Sequence, residues 1–255
     1  MRAFIAFCRK EILEVTRTYR LWIMLAVFAV LGILSPGAAK LLPAILNGVD
    51  MGGGVTLNLP EPTVIDSWTQ FFKNISQMGG LVLVIVFCGL VATELSKGTL
   101  VNVLTKGAPR AAVLLAKFVV ASATWVACFG VALCVTWAYN YYFWGATPLP
   151  HVGLALICLA VLGPLLIACM ILGGLLTRSI VGSLVAVAVL VVGLNVVNIA
   201  PGAARYNPIS LATNSLSLMT GAKTPADLLP ALWIGLGAIV AIIVASLLVF
   251  DKKQI

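Results

Sequence analysis

Six stretches of this sequence run long enough to cross a membrane with no charged side chain near their middles, and that pattern leaves few folds open. A helix needs about 20 predominantly apolar residues to span a hydrocarbon core. The stretches are Leu21 to Ala39, Asn74 to Thr93, Phe118 to Tyr139, Val152 to Thr177, Ser179 to Ala200 and Leu228 to Phe250. Ser35, Pro36 and Gly37 are expected to leave the membrane at the end of the first. Charged residues are 9% of the chain against 62% hydrophobic, where a soluble domain carries roughly a quarter charged, and the mean hydropathy is +1.12. The expected fold is an all-α membrane protein, one transmembrane domain over residues 1–255.

An even number of spans puts both termini on one side, and short-loop Lys and Arg indicate which. Arg2, Arg9, Lys10, Arg17, Arg20, Lys97, Lys106, Arg110, Lys117, Arg178, Lys252 and Lys253 fall on the side of the termini; Lys40, Lys73, Arg205 and Lys223 fall on the other. Both termini are therefore expected in the cytoplasm. The formal charge of +8 is explained by topology and calls for no nucleic acid. A cleaved signal peptide is a rival for the first span. Its basic region of about 20 residues is long for one, and cleavage would leave five spans.

The stretch "MRAFIAFCRKEILEVTRTYR" has helical periodicity: Phe4, Cys8, Ile12, Val15 and Tyr19 share one face and Arg2, Arg9, Lys10, Arg17 and Arg20 the other, as in a helix lying in the membrane surface. Glu11 interrupts the apolar face. It is expected either to snorkel or pair with a neighbouring Arg, or to meet a cytoplasmic partner. The loop from Lys40 to Lys73, rich in Gly and Pro, reads as irregular. In "NPISLATNSLSLMTG", Asn207 is a candidate helix cap with Pro208 in the first turn, Ile209, Ala212, Leu216 and Met219 on one face and Gly221 at the end.

Chemistry is sparse. The middles of the spans hold no ionisable residue of the kind that marks an ion-coupling path. Asn195 and Asn198 on the fifth span are the polar candidates there, for interhelical hydrogen bonds or for a translocation path. Gly163 and Pro164 are expected to bend the fourth span. His151 has no second ligand at metal spacing, and the six cysteines show neither CxxC pairs nor a disulfide framework. No protease constellation is apparent, and "GAKT" at Gly221 to Thr224 lacks the glycine before lysine of a phosphate loop. The chain is expected to be non-catalytic, with no metal site and no directly bound cofactor.

Charge gathers in one place: "ELSKGTLVNVLTKGAPRAAVLLAK", Glu94 to Lys117, carries Glu94, Lys97, Lys106, Arg110 and Lys117. Gly98-Thr99 can open a short helix and Lys106-Gly107 close it. Leu100, Val101, Val103 and Leu104 give that segment an apolar surface, suited to a groove in another protein or to a surface-lying loop.

This stretch, with "CRKEILEVTRTYR" before the first span and "LPEPTVIDSWTQFFKNISQMG" leading into the second, resembles the permease subunits of type-2 ABC transporters, in particular small bacterial six-span members. The resemblance covers the chain in length and span count. It implies two paired permeases, here a homodimer in a bacterial plasma membrane, over two separate ATPase subunits that hold ATP and Mg. It makes Gly98, Thr99, Leu100, Val103, Leu104 and Lys106 the coupling helix, Glu94 its root, and Arg9, Lys10, Glu11, Arg17 and Arg20 part of a connecting helix beside it. It names no cargo, and no Met- or His-rich external site favours a metal. Two other readings compete: a non-transporting anchor that recruits a soluble partner, and a secondary carrier.

Overall fold

The computed structural model describes residues 2–48, 61–100, 105, 107, 109–200 and 202–252. These form an all-helical bundle. Helix α1 (Arg2–Arg17) is followed by α2 (Arg20–Gly48), α3 (Val64–Asn74), a π-helical turn (Ile75–Gly79), α4 (Gly80–Phe87) and α5 (Ala92–Ser96). Then come α6 (Arg110–Trp144), α7 (Val152–Ala160), α8 (Leu162–Thr177), α9 (Ile180–Val197), α10 (Ser210–Met219) and α11 (Pro225–Lys252). Among the described residues, six units are long and apolar enough to cross a membrane: Arg20–Leu41, Val64–Ser96, Arg110–Trp144, Val152–Thr177, Ile180–Val197 and Pro225–Lys252. This is a multi-pass membrane protein with the number of spans expected.

Several boundaries differ from expectation, each for a local reason. The second span begins at Val64 instead of Asn74, because Thr63 and Asp66 form a capping box: the Thr63 amide and hydroxyl both donate to Asp66 Oδ2, at 2.8 Å each. Thr224 and Asp227 repeat it, the amide at 3.0 Å and the hydroxyl at 2.8 Å, and start the sixth span at Pro225. The helix of the first span, α2, does not end near Ala39 but runs through Pro36 to Gly48.

Proline inside a helix frees the carbonyl four residues back. For Pro36 that is Gly32, whose oxygen accepts the Thr136 hydroxyl from α6 at 2.9 Å. For Pro164 it is Ala160, whose oxygen accepts the Trp125 indole N–H, again from α6, at 2.9 Å. The fourth span does break here, at Val161 between α7 and α8. Trp125 is fully buried and sits edge-on to Phe28 with ring centroids 5.4 Å apart. The third span is thus the central post, closing the hydrogen-bonding gaps of two others.

Helix α10 starts at Ser210, after a turn in which Asn207 Oδ1 accepts the Ile209 amide at 3.1 Å. Its fully buried face is Leu211, Ser215, Leu218 and Met219, rotated by about one residue from the expected one. It packs on α7, α3 and α11. Helix α9 is the least covered span: only Ser183 and Val187 are buried, and Val181, Val185, Val189, Val192 and Val196 face outward.

Candidate functional site

Two charges of the quoted stretch, Glu94 and Lys117, converge on the N-terminal helix. The inward face of α1 has Glu11 and Val15 at its centre, 2% and 3% exposed, while Ile5, Ile12 and Leu13 point outward. The residue that interrupted the expected apolar face is therefore the middle of the buried one. Burying a carboxylate is costly unless it is paired. Glu11 lies 2.9 Å from the buried ammonium of Lys117, at the base of the third span, and 2.9 Å from Lys10. Glu94 bridges the same two lysines at 2.9 Å each, and Glu14 holds Lys10 at 2.9 Å. Three carboxylates and two ammonium groups thus tie together α1, α5 and α6. Glu11 pairs with lysines, not with an arginine as expected; Arg9 and Arg17 are exposed and Arg20 is half-buried.

A second tie lies on the same side of the bundle. Arg110 Nη1 donates to the carbonyls of Phe250 and Asp251, at 2.6 and 3.0 Å, capping the last turn of α11. The middle of the first helix and the end of the last therefore meet the residues that flank the segment between the second and third spans. That segment is bracketed by Gly98 (φ +67°) and Gly107 (φ +83°), left-handed conformations that favour glycine. Thr99, Leu100 and Thr105 are helical, and Thr99 Oγ1 donates to the Glu94 carbonyl at 3.3 Å. Leu100 is 2% exposed and belongs to the core, so it anchors the segment from inside. Val101, Val103, Leu104 and Lys106 lie outside the described residues.

The three carboxylates, Glu11, Glu14 and Glu94, are close enough to share a cation, but the place is already taken by the ammonium groups of Lys10 and Lys117, which balance two of the three charges. Burial alone would lower the Lys10 pKa; hydrogen bonds to Glu94, Glu11 and Glu14 override it and raise the pKa above the ordinary lysine value. Burial would raise Glu14; the bond to Lys10 and the charges of Lys10, Lys117 and Arg20 hold it below the ordinary carboxylate value. Signs follow by linkage. The raised lysine stabilises fully below its ordinary 10.5 and loses this as pH rises further; the depressed carboxylate stabilises fully above its ordinary 4.5 and loses this as pH falls. Thermal stability in detergent is expected to vary little from about pH 5 to 9 on account of these two groups and to fall on both sides. A steady slope across that window would contradict the network.

A groove of about 620 Å³ lies between the second, fourth and fifth spans and α10, within the range of about 300–1,000 Å³ usual for small-molecule sites. Its walls include Leu81, Val84, Leu166, Leu184, Val187 and Val191, with Ser76, Gln77, Asn195 and Thr213 as its polar points and no charged side chain. Ser76 and Gln77 lie in the π-helical turn, an interruption frequent at functional sites. Asn195 Nδ2 donates to Val191 O of its own helix at 2.8 Å, leaving its oxygen as an acceptor at the groove. Asn198 does not line the groove, and its buried Oδ1 has no partner among the described residues. The bond off the end of α9 comes instead from Asn207, whose Nδ2 reaches Leu194 O at 2.6 Å.

No family model matches this sequence, and no curated protein matches it.

Proposed function

We propose that this chain is the membrane-spanning permease subunit of an ATP-driven exporter of the type-2 ABC class. In this reading it works as a homodimer over two ATPase subunits in a bacterial plasma membrane, with both termini cytoplasmic. The observation that carries the reading is the ion-pair network, which joins the N-terminal helix, the root of the loop at Glu94 and the third span at Lys117. A push on the loop from below is then delivered to α1 and α6 together, and through Arg110 to α11. The short apolar segment 98–106 is the docking element. The groove is the cargo path, and its uncharged lining suits a neutral, largely apolar cargo over an ion or a charged peptide. The outward valines of α9 are the surface a second subunit would cover.

The test is affinity purification of the tagged chain from its native membrane in mild detergent, beside the variant Leu104→Glu. An ATPase subunit is expected with the wild type. Its recovery should fall at least about tenfold in the variant, which corresponds to ~1.4 kcal/mol, because a carboxylate would enter an apolar groove unpaired. Equal recovery from both would remove the docking assignment. Absence of any ATPase under conditions that preserve other membrane complexes would favour the anchor or the carrier.

A further inference from the structure

At the end of the bundle away from the termini, α3 and α6 face each other with matching triplets. Val64, Ser67 and Trp68 share one face of α3 at spacing i, i+3, i+4, and Trp137, Asn140 and Tyr141 share one face of α6 at the same spacing. Between them and the turn that follows α6 lies a cavity of about 340 Å³, separate from the groove. Asn140 lines it and is 4% exposed. Its Oδ1 accepts the Ser67 hydroxyl at 2.6 Å, but its Nδ2, buried, has no hydrogen-bond partner among the described residues.

A buried amide donor left unserved is costly, because it gives up its hydrogen bond to water and gains none in return. Ser67, the near neighbour that would serve it, is spent on the other end of the same amide. The remaining walls are chiefly aromatic and aliphatic, with no ionisable side chain except the phenol of Tyr141. Such a site selects a neutral molecule that offers one hydrogen-bond acceptor flanked by hydrocarbon. Its depth narrows the choice. Trp137 and Tyr141 are 66% and 63% exposed and belong to a run of aromatic residues with Tyr139, Tyr142, Phe143 and Trp144, rich in the residue types that mark the membrane–water boundary. The cavity thus meets the bilayer where the ester carbonyls of a glycerolipid lie between headgroup and acyl chain.

We propose that this cavity holds the ester region of a phospholipid from the leaflet opposite the termini, one carbonyl accepting the Asn140 Nδ2–H and the adjoining chain lying against Trp68, Trp137 and Tyr141. The site needs no net charge on its ligand at this depth, so it discriminates by the carbonyl.

The experiment uses the full chain in detergent micelles with a trace of phosphatidylcholine bearing a photoactivatable diazirine near the glycerol. Crosslinked peptides are mapped by mass spectrometry, with excess diester or diether phosphatidylcholine of identical headgroup and chains as competitor. Labelling is expected to concentrate on the segments around residues 64–68 and 137–149 and to be competed at least fivefold better by the diester lipid. Asn140→Leu should lower it at least fivefold. Trp137→Ala, at an exposed position whose loss leaves the core intact, should lower it similarly, and Ser67→Ala, which leaves the donor in place, should retain it. Labelling spread over all spans, equal competition by diester and diether lipids, or full labelling in both Asn140→Leu and Trp137→Ala would each overturn the proposal.

Discussion

Lys117→Met should destabilise the folded chain by about 3 kcal/mol, near the lower end of what is lost when one partner leaves a buried ion pair. The substitution conserves length and apolar stem but leaves Glu11, with a side chain 3% exposed, inside the protein. Lys10 still reaches Glu11 and Glu94, which softens the loss, but Lys10 is itself 46% exposed and already shared with Glu14. The informative partner is the double variant Glu11→Leu with Lys117→Met. Replacing both members of a buried pair by apolar groups of similar size is often neutral or stabilising. The double variant should therefore recover most of the stability lost by the single one. On the exporter reading proposed above, in which the network carries force from the loop to α1 and α6, the double variant should still hydrolyse ATP in complex while cargo movement falls. Thermal unfolding in detergent reads the first effect and flux in proteoliposomes the second. A single variant as stable as the double would mean that Glu11 is not paying for burial through Lys117.

That network marks the line between what the sequence makes legible and what it does not. The six spans and the all-helical fold follow from uncharged runs, because a bilayer imposes length and polarity directly on the chain. The segment between Gly98 and Gly107 is legible at its edges, since two left-handed turns call for glycine. Glu11 is different. Its partner Lys117 is 106 residues away, and periodicity within α1 reports only that a charge breaks a stripe. Ile12, on the apolar face expected for a helix lying in the membrane surface, is 52% exposed, and in a membrane apolar residues can point outward at no cost, so periodicity alone does not tell the lipid-facing side of α1 from its protein-facing side. The starts of α3 and α11 carried a local signal, Thr-x-x-Asp in both cases, that hydropathy overshadowed. Pro36 could not be placed at all from its own neighbourhood, because whether a helix survives proline depends on who serves the freed carbonyl, and here that is Thr136 on another span. In the groove, Asn195 was findable as a polar residue in an apolar run, but Ser76 and Gln77 owe their place to a π-helical turn without a sequence signature.

Gly163→Ala should be among the most damaging single-methyl changes in the chain. A Cβ at this position would overlap the indole of Trp125, reaching three of its ring atoms. Trp125 cannot give way freely: it is fully buried, packs on Phe28 and Phe129, and its N–H serves the carbonyl that Pro164 leaves unpaired. Two costs therefore add. Overpacking a core typically costs about 1–3 kcal/mol, and an unserved buried carbonyl costs a further ~1–3 kcal/mol, so a loss of about 2–6 kcal/mol is expected. Trp125→Phe removes the N–H without any overlap and should lose the second part together with the cost of the smaller buried ring. Gly130→Ala is the control. It lies on the same span as Trp125 with nothing within 4 Å of the added carbon, and alanine should match or improve on glycine there by up to about 1 kcal/mol. Thermal unfolding of the three variants ranks them directly. If Gly163→Ala proved as mild as Gly130→Ala, the break in the fourth span would owe nothing to Trp125, and the third span would lose its place as the post on which two proline-bearing helices depend.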